Sequence, residues 1–204
     1  RVPPRIDPLS SENILVLATG VMTGSPLAAS CRFAAVGKSP LTGTAAESEA
    51  AGFFGPELKR AGFDAVVFGG RSETPVYLFV NDGKAEIKDA TAIYQLGSKE
   101  VEDAIRDELG SSKIRVAQTG LAGMNQVLYA NITNNLGHFN GRNGFGALMG
   151  SKNLRAVAAL GSESIPFFDR EFLSRTAKDY AASFRNNPLG EALYTYGTTA
   201  FPEL

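Results

Sequence analysis

The sequence predicts an α+β fold, in which a β-rich domain over residues 1–162 precedes the beginning of a helical domain over residues 163–204. Two observations support this prediction. Short apolar runs separated by turn residues fill the chain up to Gly161, whereas helical apolar spacing follows it. Hydrophobic residues make up 44% and charged residues 20% of the 204 residues, which is typical of a folded globular chain.

The strand predictions follow from short apolar runs bounded by Gly, Pro, Asn or Asp. Asp82 and Gly83 lie between two such runs and predict a hairpin. The runs cover residues 13–18, 32–36, 65–68, 76–80, 85–87, 113–117, 126–130 and 155–159.

The helix predictions are fewer in the first domain. Residues 99–109 carry apolar side chains four residues apart, with Ser98 as the expected N-cap and Gly110 as the expected end. Residues 56–61 and 144–153 predict shorter helices. In the second domain we expect helices over residues 169–184, capped by Asp169 and ended at residues 186–188, and over residues 189–194.

The composition excludes several classes of function. A net charge of −1 gives no electrostatic footprint for nucleic acid, so we expect no nucleic-acid partner. One cysteine, Cys31, permits neither an internal disulfide nor a self-sufficient thiolate cluster, and one histidine, His138, permits no multi-histidine metal site. No apolar run approaches the ~18 residues that span a bilayer, and no signal peptide is visible. We therefore expect no membrane contact and a cytoplasmic location, and both ends of the chain look cut from a longer one.

Glycine is in excess, with 22 of 204 residues against about 7% in average proteins. Residues 137–154 (GHFNGRNGFGALMGSKNL) hold several of these glycines. There Arg142 and Lys152 add positive charge, and a helix starting after the loop would aim its N-terminus at the same place. This pattern indicates a phosphate-binding site, although its spacing matches neither the dinucleotide fingerprint nor a Walker loop. A tight turn packed against a sheet remains the alternative.

Several collinear segments together resemble the N-terminal domain of the tungsten-containing aldehyde ferredoxin oxidoreductase family. The last of them, over residues 146–156, is the most specific. The matching segments are residues 7–13 (DPLSSEN), 20–24 (GVMTG), Arg32, 38–43 (KSPLTG), 54–64 (FGPELKRAGFD), 75–77 (PVY), 89–90 (DA), 120–123 (GLAG) and 146–156 (GALMGSKNLRA).

The resemblance implies an enzyme that binds tungsten, or molybdenum, through two pyranopterins and oxidises aldehydes to carboxylic acids. Electrons would pass through a [4Fe–4S] cluster to ferredoxin or a similar acceptor, and Mg²⁺ would bridge the pterin phosphates. Two packed sheets would form the base under the pterins. The cluster cysteines and the substrate acid–base groups would lie beyond residue 204, so we expect no catalytic residue in this segment, no activity of the segment alone, and a homo- or hetero-oligomer together with the rest of its own chain.

The resemblance also assigns site residues. Arg32 matches the family arginine that touches a pterin and approaches the cluster. Glu49 stands where the family has asparagine and would offer its backbone carbonyl to the bridging Mg²⁺. Ala51 stands at a family glycine that approaches the pterin, and its methyl group limits that approach. Cys31 is either a cluster-proximal thiol or a buried free cysteine.

In the glycine-rich segment, Gly141 and Arg142 match the family directly. His138 and Phe139 stand where the family often has arginine and alanine. His138 replaces the arginine if it is protonated, and otherwise is a hydrogen-bonded loop residue. Phe139 would contribute its backbone or a stacking face, and with Glu49 forms the expected metal site. Met149 and three phenylalanines, at 53, 54 and 145, are expected in the core.

Two other functions remain open at this stage. The departures at Glu49, Ala51, His138 and Phe139 are compatible with a reductase on the same scaffold, resembling benzoyl-coenzyme A reductase. They are also compatible with a domain that has lost its cofactor and serves assembly, although retention of Arg32, Gly141 and Arg142 argues against that reading.

Overall fold

The computed structural model of the chain describes residues 2–184 and 187–200. These residues form two compact units. One unit comprises residues 2–24 and 31–165, and the other comprises residues 25–30, 166–184 and 187–200.

The first unit contains a four-stranded antiparallel sheet in the order β3-β2-β1-β4. Leu17 of β1 lies opposite Ala35 of β2 and Val66 of β4. β3 was not predicted, because its sequence AAESEA has few residues that favour strands and is held by pairing with β2. The strands are β1 (Leu15–Thr19), β2 (Phe33–Lys38), β3 (Ala45–Ala50) and β4 (Ala65–Phe68).

A second, six-stranded sheet has the order β6-β5-β10-β7-β8-β9, in which only β10 and β5 run parallel. The predicted hairpin is confirmed: Asp82 and Gly83 have φ of 43° and 79°, as a type I′ turn requires. The strands are β5 (Val76–Asn81), β6 (Lys84–Asp89), β7 (Arg115–Thr119), β8 (Ile132–Asn134), β9 (His138–Asn140) and β10 (Leu154–Leu160).

The main core lies between the two sheets. Leu15 and Leu17 of β1 and Val157 of β10 belong to one buried cluster there. Neighbouring side chains of β10, such as Ala156 and Ala158, point to the opposite face, where they pack in a second cluster with Ile105. The second sheet is therefore buried on both faces, which explains why β10 is an almost continuous apolar run.

Four helices flank the sheets in this unit: α1 (Phe54–Arg60), α2 (Ser98–Leu109), α3 (Leu121–Met124) and α4 (Phe145–Ser151). Gly110 ends α2 with φ of 69°, as predicted. The expected Ser98 cap is wrong, because Gly97 is the N-cap and no side chain caps the helix. The predicted strand at residues 126–130 is also wrong: Gln126 has φ of 56° and turns the chain, and the strand begins at Ile132.

The second unit contains α5 (Arg170–Phe184) and α6 (Pro188–Tyr196). The predicted Asp169 cap is confirmed, since its Oδ1 accepts a hydrogen bond from the Phe172 amide at 2.8 Å. Asn187 caps α6 in the same way, accepting from the Leu189 amide at 3.0 Å. Asn186, part of the predicted helix stop, lies outside the described residues.

The α+β class, with two sheets and short helices, is confirmed. Within the described ranges, no helix combines the length and apolar character needed to cross a membrane.

Candidate functional site

The candidate site lies where the edges of the two sheets meet. β3 ends the first sheet, β9 ends the second, and the two strands are neighbours. We call this junction, formed by residues 47–52 and 134–143, the seam. It holds most of the predicted binding residues: Glu49, Ala51, His138, Phe139, Gly141 and Arg142.

Arg32 reaches the seam through an ion pair. Its Nη1 lies 3.7 Å from Oε2 of Glu49, and both side chains are 55% exposed. The contact follows from the register, because Arg32 immediately precedes β2, whose Ala34 lies opposite Glu49. An exposed pair of this kind contributes at most about 1 kcal/mol. Both groups therefore stay available to a ligand.

Asparagine amides join the two sides of the seam. Asn134 donates to the Ala51 carbonyl at 2.9 Å, Asn140 to the Ser48 carbonyl at 2.7 Å, and Asn143 to the Glu47 carbonyl at 2.8 Å. These side-chain bonds connect residues 47–51 of the first sheet's edge with residues 134–143 of the second sheet's edge.

The loop over residues 38–43 is fixed beside the seam by a buried serine. Ser39 is fully buried, and its Oγ donates to the Asn143 carbonyl at 2.8 Å while accepting from the Thr42 amide at 3.0 Å. Ser48 Oγ accepts from the Arg142 amide at 3.2 Å. The segment over residues 38–43, which carries part of the family resemblance, thus comes together with β3 and the glycine-rich loop.

Most glycines of the glycine-rich segment allow close packing of backbone against backbone. The expected phosphate-binding site at the start of α4 is therefore wrong. A Cβ at Gly146 would lie 2.3 Å from the Asn131 carbonyl oxygen, and one at Gly150 would lie 1.9 Å from that of Gly123. All residues of α4 are buried, and its Gly146 amide donates to the Ala130 carbonyl at 2.9 Å. The helix N-terminus is therefore occupied within the protein, as the packed-turn alternative predicts.

Gly141 differs from these glycines. A Cβ at this position would meet nothing closer than the Phe139 Cβ, at 4.0 Å. Gly141 and the neighbouring Arg142 are both exposed. Open space beside an exposed guanidinium is compatible with a bound anion.

Lys152 does not lie at the site, contrary to expectation. It is 4% exposed, and its Nζ donates to the carbonyls of Asn13 and Gly70. Burial lowers the pKa of this ammonium group. Its role is to join distant loops of the first unit.

Sequence reasoning missed several residues in the seam and beside it. Phe53, expected in the core, is 61% exposed, with the Arg115 guanidinium 5.2 Å from its ring centroid. The Phe53 amide donates to Oδ1 of Asn135 at 2.8 Å. Phe54, Phe145 and Met149 are in the core as expected, and Cys31 is partly buried. The signal that could have indicated the seam is its asparagines, at positions 134, 135, 140 and 143.

The seam residues fit a phosphate-bearing group with a bridging cation. Arg32, Arg142 and His138 place nitrogen donors on an exposed surface. Glu49 and Phe139 lie in adjoining edge strands, and such strands supply backbone carbonyl oxygens, ligands that Mg²⁺ accepts. Across residues 2–184 and 187–200, no three His, Cys, Asp or Glu side chains are grouped to hold a metal ion.

The chain is similar to one protein-family model and to several known proteins. The family model described as aldehyde ferredoxin oxidoreductase, N-terminal domain, matches residues 1–161. A tungsten-containing aldehyde ferredoxin oxidoreductase of Pyrococcus furiosus is 43% identical over 196 residues, which cover 96% of this chain and 32% of the relative. The WOR-like subunit of an aliphatic sulfonate oxidoreductase from the same organism is 33% identical, covering 95% of this chain and 34% of that subunit.

Among solved structures, the active site complex BamBC of benzoyl coenzyme A reductase, in complex with 1,5-dienoyl-CoA, is similar with a TM-score of 0.87 and 38% identity. The match covers 92% of this chain and 29% of that one. The chain thus spans about a third of the length of the curated relatives that it matches.

Proposed function

Because the chain belongs to the aldehyde ferredoxin oxidoreductase family, whose N-terminal domain matches residues 1–161, we propose that it supplies the pterin-binding base of a tungsten oxidoreductase. The observation that carries the proposal is the convergence at the seam. Residues as distant in sequence as Glu49 and Arg142 gather on one exposed junction, within a chain 43% identical to a tungsten enzyme.

Different seam residues would bind different parts of the cofactor. Arg32, Arg142 and the ring N–H of His138 would meet the negative charge of pterin phosphates. Backbone oxygens at Glu49 and Phe139 would face the bridging Mg²⁺. The open position at Gly141 would admit close approach. The bound tungsten–bispyranopterin supplies the two-electron chemistry, and the protein orients it.

For the complete protein we propose oxidation of an aldehyde to its carboxylic acid. Water supplies the oxygen, and two protons and two electrons are released. The electrons leave through a [4Fe–4S] cluster, whose cysteines belong to other parts of the protein, to ferredoxin or a similar acceptor. The domains that carry the cluster and the substrate pocket would cover this base, and assembly into a homo- or hetero-oligomer completes the proposal.

A second candidate is reduction of an aromatic coenzyme A thioester. One specific observation favours it: the similarity to the BamBC complex, which was solved with 1,5-dienoyl-CoA. The same base would hold the same cofactor, and the reaction would be decided by the covering domains.

The deciding experiment uses the full-length protein, produced anaerobically with tungstate. Tungsten, molybdenum, iron and magnesium are measured per chain by mass spectrometry, and pterin by fluorescence after oxidation. Aldehyde oxidation with ferredoxin or a viologen dye supports the first proposal. Tungsten-loaded protein that turns over an aromatic acyl-CoA and no aldehyde supports the second, whereas folded protein without pterin contradicts both and supports a purely structural role.

A further inference from the structure

Two buried asparagines, at the end of β8 and the end of β9, connect the second sheet to β3 and the residue that follows it. Asn140 is fully buried, and its Nδ2 donates to the Ser48 carbonyl at 2.7 Å. Asn134 is 1% exposed, and its Nδ2 donates to the Ala51 carbonyl at 2.9 Å. Within a sheet, a ladder of backbone hydrogen bonds sets the register of neighbouring strands. Because β3 and β9 belong to different sheets, these side-chain bonds take the place of that ladder. The position of one strand along the other therefore depends on them.

The two bonds bracket the residues that are proposed to face the cofactor. On the first sheet, the two accepting carbonyls lie on either side of Glu49. On the second sheet, the two asparagines lie on either side of Phe139 in sequence. A slip of either strand would therefore change the separation of Glu49 and Phe139 directly.

The geometry around the first bond is tight. Gly52 has φ of 108°, and a Cβ there would lie 2.1 Å from Asn134 Oδ1. The Oδ1 atoms of Asn134 and Asn140 are buried and have no hydrogen-bond partner among the described residues. Each amide is thus anchored through its donor end to the neighbouring strand. For Asn140, removing that donor releases the strand without breaking a larger network, whereas the Asn134 Nδ2 also donates to the His138 carbonyl at 3.5 Å.

We propose that Asn134 and Asn140 are positioning residues, which hold β3 and the β8–β9 hairpin in the register that places Glu49 and Phe139 for the pterin phosphates and their cation. This inference rests on the proposed function of the seam. The asparagines act through the backbones of Ser48 and Ala51, so side-chain loss changes binding by displacing other residues.

The test compares Asn140→Ala with Asn81→Ala in the full-length protein. Asn81 is a matched control, because its Nδ2 donates to the Leu160 carbonyl at 2.8 Å, away from the seam. Two quantities are measured on folded protein: tungsten and pterin per chain, and amide hydrogen exchange of residues 47–51 and 138–142. For Asn140→Ala we expect about tenfold weaker retention of the cofactor, as for other residues that position ligands. We also expect faster exchange at the seam alone, whereas Asn81→Ala keeps the cofactor.

A second variant keeps the test decisive if Asn140→Ala does not fold. If Asn140→Ala gives no folded protein, Asn140→Ser keeps a polar group that is too short to reach the Ser48 carbonyl, and the same losses are expected. Wild-type occupancy together with wild-type seam exchange overturns the proposal, as does an equal loss of cofactor in Asn81→Ala. If the wild-type protein itself binds no pterin, the proposed function fails, and the seam exchange alone decides the positioning role.

Discussion

Arg142 shows how a site residue differs from a residue that stabilises the fold. Its side chain is exposed, and it is the backbone amide that contacts Ser48. Surface side chains of this kind contribute little to folding, whereas charge-assisted hydrogen bonds to an anion are strong. The two roles can therefore be separated by experiment.

We expect Arg142→Ala to change the free energy of unfolding by less than about 0.5 kcal/mol. The same substitution should weaken cofactor retention in the full-length protein at least about tenfold, because it removes a charge-assisted hydrogen bond that contributes about 1.5–3 kcal/mol. Denaturant unfolding and tungsten analysis measure the two effects. Arg71→Ala, at an exposed position outside the seam, is the control; unchanged tungsten content in Arg142→Ala would contradict a phosphate contact.

The buried ammonium group of Lys152 makes the free energy of unfolding depend on pH. Burial lowers the pKa of its ammonium group below the ordinary value of 10.5. Between the lowered pKa and 10.5, the unfolded chain binds more protons than the folded one, so stability rises with pH in that window. We expect the free energy of unfolding of wild type, relative to Lys152→Met, to increase with pH as the pH rises toward 10.5.

The same substitution removes the donor for two carbonyls, those of Asn13 and Gly70. Lys152→Met should therefore destabilise the protein by about 1–3 kcal/mol at neutral pH. Urea unfolding at a series of pH values measures both effects. A pH-independent difference between the two proteins would show that the ammonium group carries no burial penalty.

Among the elements, α3 and α4 explain what the glycine-rich segment does. Gly150 of α4 approaches the backbone of Gly123 in α3, where a Cβ would lie 1.9 Å from the carbonyl oxygen. The loop that leads to α4 contains Gly141, which has open space. Within one segment, Gly150 therefore permits close packing of two backbones, whereas Gly141 leaves open space at the surface.

The contrast predicts opposite outcomes for one added methyl group. Gly150→Ala should destabilise the protein by about 2–3 kcal/mol, because backbone atoms must move apart. Gly141→Ala should leave stability nearly unchanged and reduce cofactor retention in the full-length protein. Thermal unfolding and pterin analysis separate the two, and equal destabilisation by both substitutions would show that Gly141 is also a packing residue.

The elements that the sequence predicts well are those with a strong local pattern. β5, β10 and the Asp82–Gly83 hairpin follow from apolar runs and turn chemistry. β3 and the β8–β9 hairpin were missed, because their short polar sequences become strands only through their neighbours. The site was predicted by resemblance, residue by residue. Its construction from asparagine side chains depends on contacts between distant segments, which no local pattern encodes.

At the scale of the molecule, the two units contribute unequally to stability. The first unit contains both buried clusters. Among the described residues of α5 and α6, only Ala177 is buried. The stability of the first unit should therefore depend little on these helices.

This inequality predicts the effect of shortening the 204-residue chain to end at Ile165. The shortened chain should unfold cooperatively, with a midpoint within about 4 °C of the original, since about 1 kcal/mol corresponds to such a shift. Differential scanning calorimetry measures the midpoint. A broad or absent transition would show that residues 166–204 stabilise the sheets.

The seam engages one edge of each sheet, and within the described part of the chain the opposite edges, β4 and β6, have no strand partner. β6 carries four charged residues, Lys84, Glu86, Lys88 and Asp89, which oppose pairing with a foreign strand. β4, with the sequence AVVF, carries none, and its Val67 is 61% exposed. When the chain is produced by itself, self-association should therefore begin at β4, and a lysine at position 67 is the substitution that would make it easier to keep in solution.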